Sequence, residues 1–338
     1  MEENKNEGIH EENKIEAIHE ENKIEAMQDG TQEDIMNAEE YPMEEIQEGP
    51  IKHARKGWGR AMVYAVGLIL LALAIQMISG IGAGVFLTIK MTIQYGGDTE
   101  QVLANYQNEI LESGFLNIVV AITTVITTTL FGLWYKFKYA KKSQMEQFNS
   151  KMKKAFASDQ IGFLLLLAVT CYILAMNVII IIGYLSEGTL DTYRQMTQLA
   201  FSEGPITFIL AVFLAPIGEE CLVRGLIQRR LEKYLPMTAV LIIVAVLFGI
   251  LHANIVQGIF VIPLGLATGY LSYKFQSVLP AILLHMVYNF IPQVIDLVPG
   301  TILDQDIVWQ IAAVVLVICT VVVKKAMSGR EKLNVDEN

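Results

Sequence analysis

Residues 205–231 read PITFILAVFLAPIGEECLVRGLIQRRL: an apolar half, then a half that holds two adjacent glutamates and three arginines. A helix rising about 1.5 Å per residue needs about 20 residues to cross about 30 Å of hydrocarbon. The stretch has that length, so it predicts a membrane helix whose second half carries charge into the bundle. Ionisable groups at such a place are costly and tend to be functional.

The rest of the chain agrees with a membrane setting. Its 338 residues are 53% apolar, with a mean hydropathy of +0.42, which is more than an ordinary soluble domain carries. Beyond about residue 60 the excess gathers into runs of about 18 to 25 residues. Eight helices are predicted, over 61–89, 115–135, 161–184, 205–231, 236–253, 255–273, 279–295 and 307–323. The fold class is therefore all-α, a polytopic membrane bundle of about eight transmembrane helices. The first range is long enough to tilt or to break near Gly80, Gly82 and Gly84.

Net charge is −10, and much of it comes from the first fifty residues. That segment alternates Glu, Asn, Lys and Ile, and repeats IHEENKIEA at 9–17 and 18–26. It cannot bury enough apolar surface to fold alone, so residues 1–52 read as a disordered, solvated cytoplasmic tail. Residues 327–338 read as a second polar tail, and 53–326 as the membrane domain. No nucleic-acid partner is expected; membrane lipid is. Cys171, Cys221 and Cys319 lack metal or disulfide spacing and read as small core residues. The first apolar run is too long and too late for a cleavable signal peptide.

Lys and Arg favour cytoplasmic loops. Lys52, Arg55, Lys56 and Arg60 precede the first predicted span, and Lys136, Lys138, Lys141 and Lys142 follow the second. Arg229, Arg230 and Lys233 follow the fourth, Lys274 the sixth, and Lys324 and Lys325 the eighth. All fall on one side if both termini are cytoplasmic, which predicts a multi-pass protein of the cell membrane in that orientation.

Few ionisable residues fall within the spans after residue 160. They are Glu219, Glu220 and Arg224 in LAPIGEECLVRG, His252 in LFGILHAN, and His285 with Asn289 in LLHMVYNF. Residues four apart share a helix face. Glu220 is thus set to pair with Arg224, Glu219 to point elsewhere, and His285 to stand beside Asn289. Phe248 lies one turn before His252 as an apolar wall. Polar side chains also join membrane helices without any chemistry, so a scaffold is the bland alternative.

The ordered set EExxxR (Glu219, Glu220, Arg224), FxxxH (Phe248, His252) and HxxxN (His285, Asn289) resembles the CAAX-protease and bacteriocin-processing family of intramembrane peptidases, over a core of about 200–295. The resemblance implies a peptidase that attacks a membrane-associated peptide or protein with activated water. It implies that Glu219 is the general base, that His252 positions the water, and that His285 and Asn289 receive the oxyanion. Glu220 and Arg224 then support the site as a structural pair. No cofactor or metal is implied. A zinc peptidase, with Glu219, His252 and His285 as ligands, is the nearest rival, but HExxH is missing. A bacteriocin-immunity role is a further alternative, and oligomeric state is left open.

Overall fold

The computed structural model describes residues 57–112, 115–139, 158–200, 205–295 and 306–336, and every regular element among them is helical. In chain order these are α1 (Trp58–Gln94), α2 (Thr99–Glu112), α3 (Phe115–Tyr139), α4 (Ser158–Leu185) and α5 (Glu187–Ala200). The long helix α6 (Pro205–Leu231) follows, then α7 (Met237–Leu251), α8 (Ile255–Phe260), α9 (Ile262–Phe275), α10 (Leu279–Ile295) and α11 (Asp306–Asp336). Helix occupies all eight predicted ranges. Five helices, namely α1, α3, α4, α6 and α11, are long and apolar enough to cross a membrane, and the chain is an integral membrane protein on that ground. The expected tail over 1–52 and the basic residues at 141–154 lie outside the described residues. The last helix runs on through Asp336, into the stretch expected as a polar tail.

Helix α1 does not break at its glycines. It is continuous for 37 residues, about 55 Å at about 1.5 Å per residue, and so overshoots the hydrocarbon. Glycine lowers helix propensity without removing a hydrogen bond, and a break within hydrocarbon would leave backbone groups unsatisfied, so the helix runs through. Its overshooting end meets α2 through a small cluster of Leu87, Met91 and Val102 and a Lys90–Glu109 ion pair. The Asp98 carboxylate caps α2 by accepting the Gln101 and Glu100 amides. Those bonds, led by Gln101, hold its carboxyl below the usual range.

The main core gathers around α6, with α4, α1 and α7 contributing most of the other buried side chains and α9 and α10 closing it. Helices without bulk between them approach closely, as small residues permit in membranes. A methyl group on Gly218 would stand 2.8 Å from the Thr128 backbone, and one on Gly225 2.6 Å from the Tyr135 ring, so α3 lies directly on α6. On α7 the contact is tighter still: a Cβ at Gly249 would be 2.4 Å from the Gly258 carbonyl oxygen. Gly249→Ala is expected to push α8 away from α7 and to destabilise the fold by about 1–3 kcal/mol, the usual cost of overpacking. Thermal unfolding in detergent measures it, and an unchanged midpoint would show that this contact does not hold α8.

Cys171 and Cys221 are buried as expected, but Cys319 is exposed on α11. The expectation equated apolar with interior. In a lipid-facing helix the outer face is just as apolar as the inner one, and Val315, Ile318 and Val322 around Cys319 are exposed as well.

Candidate active site

Helix α6 is not a regular α-helix. Two π-helical segments, Leu210–Leu214 and Cys221–Gln228, flank a single α-helical stretch, Ala215–Glu220. Single-turn π-bulges are rare and collect at functional sites. Pro216 accounts for part of the break. The first π-segment closes with the Ala215 amide bonded to the Leu210 carbonyl five residues back. In that register the next carbonyl, Ala211, would be met by residue 216, and proline has no N–H to give. The Asn289 side-chain amide takes up the Ala211 carbonyl instead, at 2.8 Å. Asn289 therefore ties α10 to the interruption in α6.

The two glutamates leave the same turn in different directions. Glu220 is fully buried with Arg224, whose Nη1 donates to Glu220 Oε1 at 3.2 Å. His285 Nδ1 donates to that same oxygen at 2.9 Å. The sequence reading set Glu220 toward Arg224 alone; in the fold it also anchors a site histidine. Arg224 Nη2 goes on to the Gly265 carbonyl at 2.9 Å, and Gln228 Nε2, one turn later, to the Gly269 carbonyl at 3.0 Å. A Cβ on Gly265 would stand 3.0 Å from the Ala245 backbone, and one on Gly269 2.9 Å from the Leu241 side chain and 3.3 Å from Gln228 Oε1, so the two bare glycines let α9 close on α7.

Phe248 is the surface on which the other groups rest. Its ring is buried. The His252 ring meets it edge-on at 4.9 Å, the His285 ring at 5.5 Å, and the Arg224 guanidinium lies over it at 4.6 Å. His252 sits at the C-cap of α7, just before Ala253 at φ 52° and the Asn254 side chain that caps α8. Its Nδ1 lies 2.8 Å from the Phe248 carbonyl. A carbonyl can only accept, so Nδ1 carries the proton and Nε2 is the nitrogen left for chemistry. His285 follows the same plan, with Nδ1 committed to Glu220 and Nε2 turned toward Glu219 Oε2 at 3.9 Å. His252 has Glu219, His285 and Arg224 as its charged neighbours.

Glu219 differs from Glu220 in what holds it. Its side chain is 28% exposed, and its Oε2, like that of Glu220, is buried with no hydrogen-bond partner among the protein groups; but Glu220 is held through Oε1 by Arg224 and His285, whereas Glu219 comes no closer to a cation than the 3.9 Å to His285 Nε2. A buried carboxylate oxygen left without a donor is costly, and native folds rarely leave one so unless something else binds there. Glu219, Glu220, Arg224, Phe248, His252 and His285 thus belong to one connected cluster, with Asn289 attached to it through α10 and the Ala211 carbonyl. Pro216, Gln228, Gly265 and Gly269 were not singled out in the sequence; the proline within a span and the Gly-x-x-x-Gly spacing were the available signals. Among the described residues, no three His, Cys, Asp or Glu side chains are grouped as a metal ion would require.

Comparisons with known proteins bear on this same region. No curated protein and no solved structure matches the chain. Residues 201–291, which hold every member of the cluster, match the family model described as Type II CAAX prenyl endopeptidase Rce1-like. The motif-bearing segment of this chain is accordingly similar to the CAAX prenyl endopeptidases, and the resemblance read from its glutamates, histidines and asparagine is supported by that match.

Proposed function

We propose that the protein is an intramembrane endopeptidase in which Glu219 activates a water held between it and the two histidines. The observation that carries this reading is the Glu219 Oε2 atom, buried without a partner and 3.9 Å from His285 Nε2. That separation is too long for a hydrogen bond and suits one water within reach of both atoms. Glu219 takes a proton from the water, and the His252 Nε2 lone pair orients the water's other hydrogen. The hydroxide adds to a peptide carbonyl, and the oxyanion is received by His285 Nε2–H and the Asn289 amide hydrogen that Ala211 does not use. Because Nδ1–H of His285 is already given to Glu220, donation from Nε2 requires the imidazolium form, whose charge Glu220 faces. The collapsing intermediate breaks the C–N bond, and Glu219 returns its proton to the leaving amine.

The substrate class follows from the setting and from the family's description: a peptide or protein lying at the membrane, with prenylated CAAX peptides the first to try. Reconstituted protein should cleave an internally quenched peptide of this kind, assayed beside its unprenylated twin. Failure on both, together with an unchanged cell-envelope peptide profile in cells carrying Glu219→Gln, would leave the scaffold reading. We further assign both termini to the cytoplasm, with α7, α8 and α9 together, and α10 completing eight crossings. Cysteine labelling from each side of the membrane checks it, and an externally labelled C-terminus would overturn it.

One observation favours zinc as a second reading. A histidine whose Nδ1 is held by a carboxylate and whose Nε2 is free is also how metal-binding histidines are oriented. The two readings part at Asn289. As an oxyanion donor, its replacement by Ala should lower kcat by about 100- to 1000-fold with KM little changed, and should cost about 1–3 kcal/mol of stability by orphaning the Ala211 carbonyl. Under a zinc mechanism Asn289→Ala should show only the stability loss. One tightly held equivalent of zinc, removable by chelator and needed for turnover, would decide for the metal.

A further inference from the structure

We propose that the end of the bundle where α1 begins and α3 and α6 finish binds the headgroup of an anionic phospholipid. Three cations converge there around tyrosines from two helices and from the turn that follows α6. Lys138 Nζ on α3 donates to the Tyr64 hydroxyl of α1 at 3.1 Å and lies 4.8 Å from that ring's centre. Arg229, at the end of α6, stacks 5.1 Å from the Tyr139 ring and 5.6 Å from the Tyr135 ring, and its Nη2 donates to the Gln276 carbonyl at 3.0 Å. Arg230 stacks 5.4 Å over Tyr234 and stands within coulombic reach of Tyr64 and Tyr139.

Among the described residues no carboxylate lies within salt-bridge distance of these three. The nearest acidic influence is Glu232, which is largely buried, accepts from Gln228 Nε2 at 2.8 Å, and has its carboxyl pushed up by that burial. A ring of tyrosines fixes the cations without neutralising them. What they lack is an anion.

A lipid, rather than a free phosphate, is the occupant because apolar surface continues from the cations toward the membrane centre. Val63 beside Tyr64 is 74% exposed and Phe137 beside Lys138 is 81% exposed. Val66 and Leu70 on α1, and Leu133 on α3, carry the exposed apolar surface further; spacings of three and four residues keep each set on one helix face. Tyrosines and cations at the headgroup level with apolar side chains below them match the layering of a bilayer interface.

The test uses full-length protein in a neutral detergent, with phosphatidylglycerol, phosphatidylcholine of the same acyl chains, and inorganic phosphate as probes, read by thermal shift and by lipid retained in native mass spectrometry. Each cation near a membrane surface contributes about a factor of five, so three predict a preference for phosphatidylglycerol over phosphatidylcholine of about a hundredfold, weakened by salt. Lys138→Gln alone, at an exposed position outside the packed core, should reduce it about fivefold, and the Lys138, Arg229 and Arg230 triple glutamine variant should abolish it. Equal binding of the two lipids by the wild-type protein would overturn the proposal whether or not the triple variant folds. So would full retention of the preference in Lys138→Gln, or an equal stabilisation by inorganic phosphate alone.

Discussion

Glu219→Gln is expected to lower peptide hydrolysis by about 10²- to 10⁴-fold, the range associated with a general acid–base group, while leaving the unfolding midpoint nearly unchanged. The substitution keeps the size of the side chain and most of its hydrogen-bonding capacity. It removes only the ability to accept a proton from water. Glu219 makes no ion pair closer than its 3.9 Å approach to His285, so the fold loses little with its charge. Turnover and thermal unfolding measured on the same preparation separate the possibilities: a variant that unfolds early would make Glu219 structural, and one that is stable and fully active would remove it from the chemistry.

Arg224→Met carries the largest expected loss of stability. Arg224 and Glu220 are both fully buried, and removing one partner of a buried pair leaves the other charge uncompensated, at a cost of about 3–5 kcal/mol. The loss is compounded here, because Arg224 also satisfies the Gly265 carbonyl and covers the Phe248 ring. Adding Glu220→Gln to Arg224→Met should recover part of the stability by neutralising the orphan. It should not recover activity, since a neutral amide at position 220 no longer supports a protonated His285. Recovery of both together would show that Glu220 serves only to balance Arg224.

The all-helical fold and the places of the long apolar helices were legible because hydrocarbon imposes a length and an apolar composition that few sequences meet by accident; the polar helices α2 and α5, which meet neither demand, were not predicted. The pairing of Glu220 with Arg224 was legible for a similar reason, as helical geometry puts residues four apart together. What escaped the sequence was everything set by contact between distant segments. Nothing in LAPIGEE discloses that Glu220 reaches His285, because that bond depends on how α10 lies against α6. Whether α1 tilts or breaks near Gly80, Gly82 and Gly84 was left open by the sequence, because glycine weakens a helix without ending it; the helix is continuous. The outward-facing Cys319 was missed because periodicity cannot tell a lipid-facing stripe from a core-facing one.

The interrupted helix α6 has a consequence for how the protein is made. Arg224 is completed by a carbonyl 41 residues further along the chain, and Glu220 by an imidazole 65 residues further along. At about 5–20 residues per second of synthesis, the second of these partners leaves the ribosome roughly 3–13 s after Glu220 itself. For that interval the charged half of α6 has only its internal ion pair, and the Ala211 carbonyl has no asparagine to meet it. The apolar half can enter the bilayer at once; the other half becomes stable in lipid only when α9 and α10 arrive beside it. The candidate site is thus completed only late in biogenesis, once α9 and α10 have joined α6.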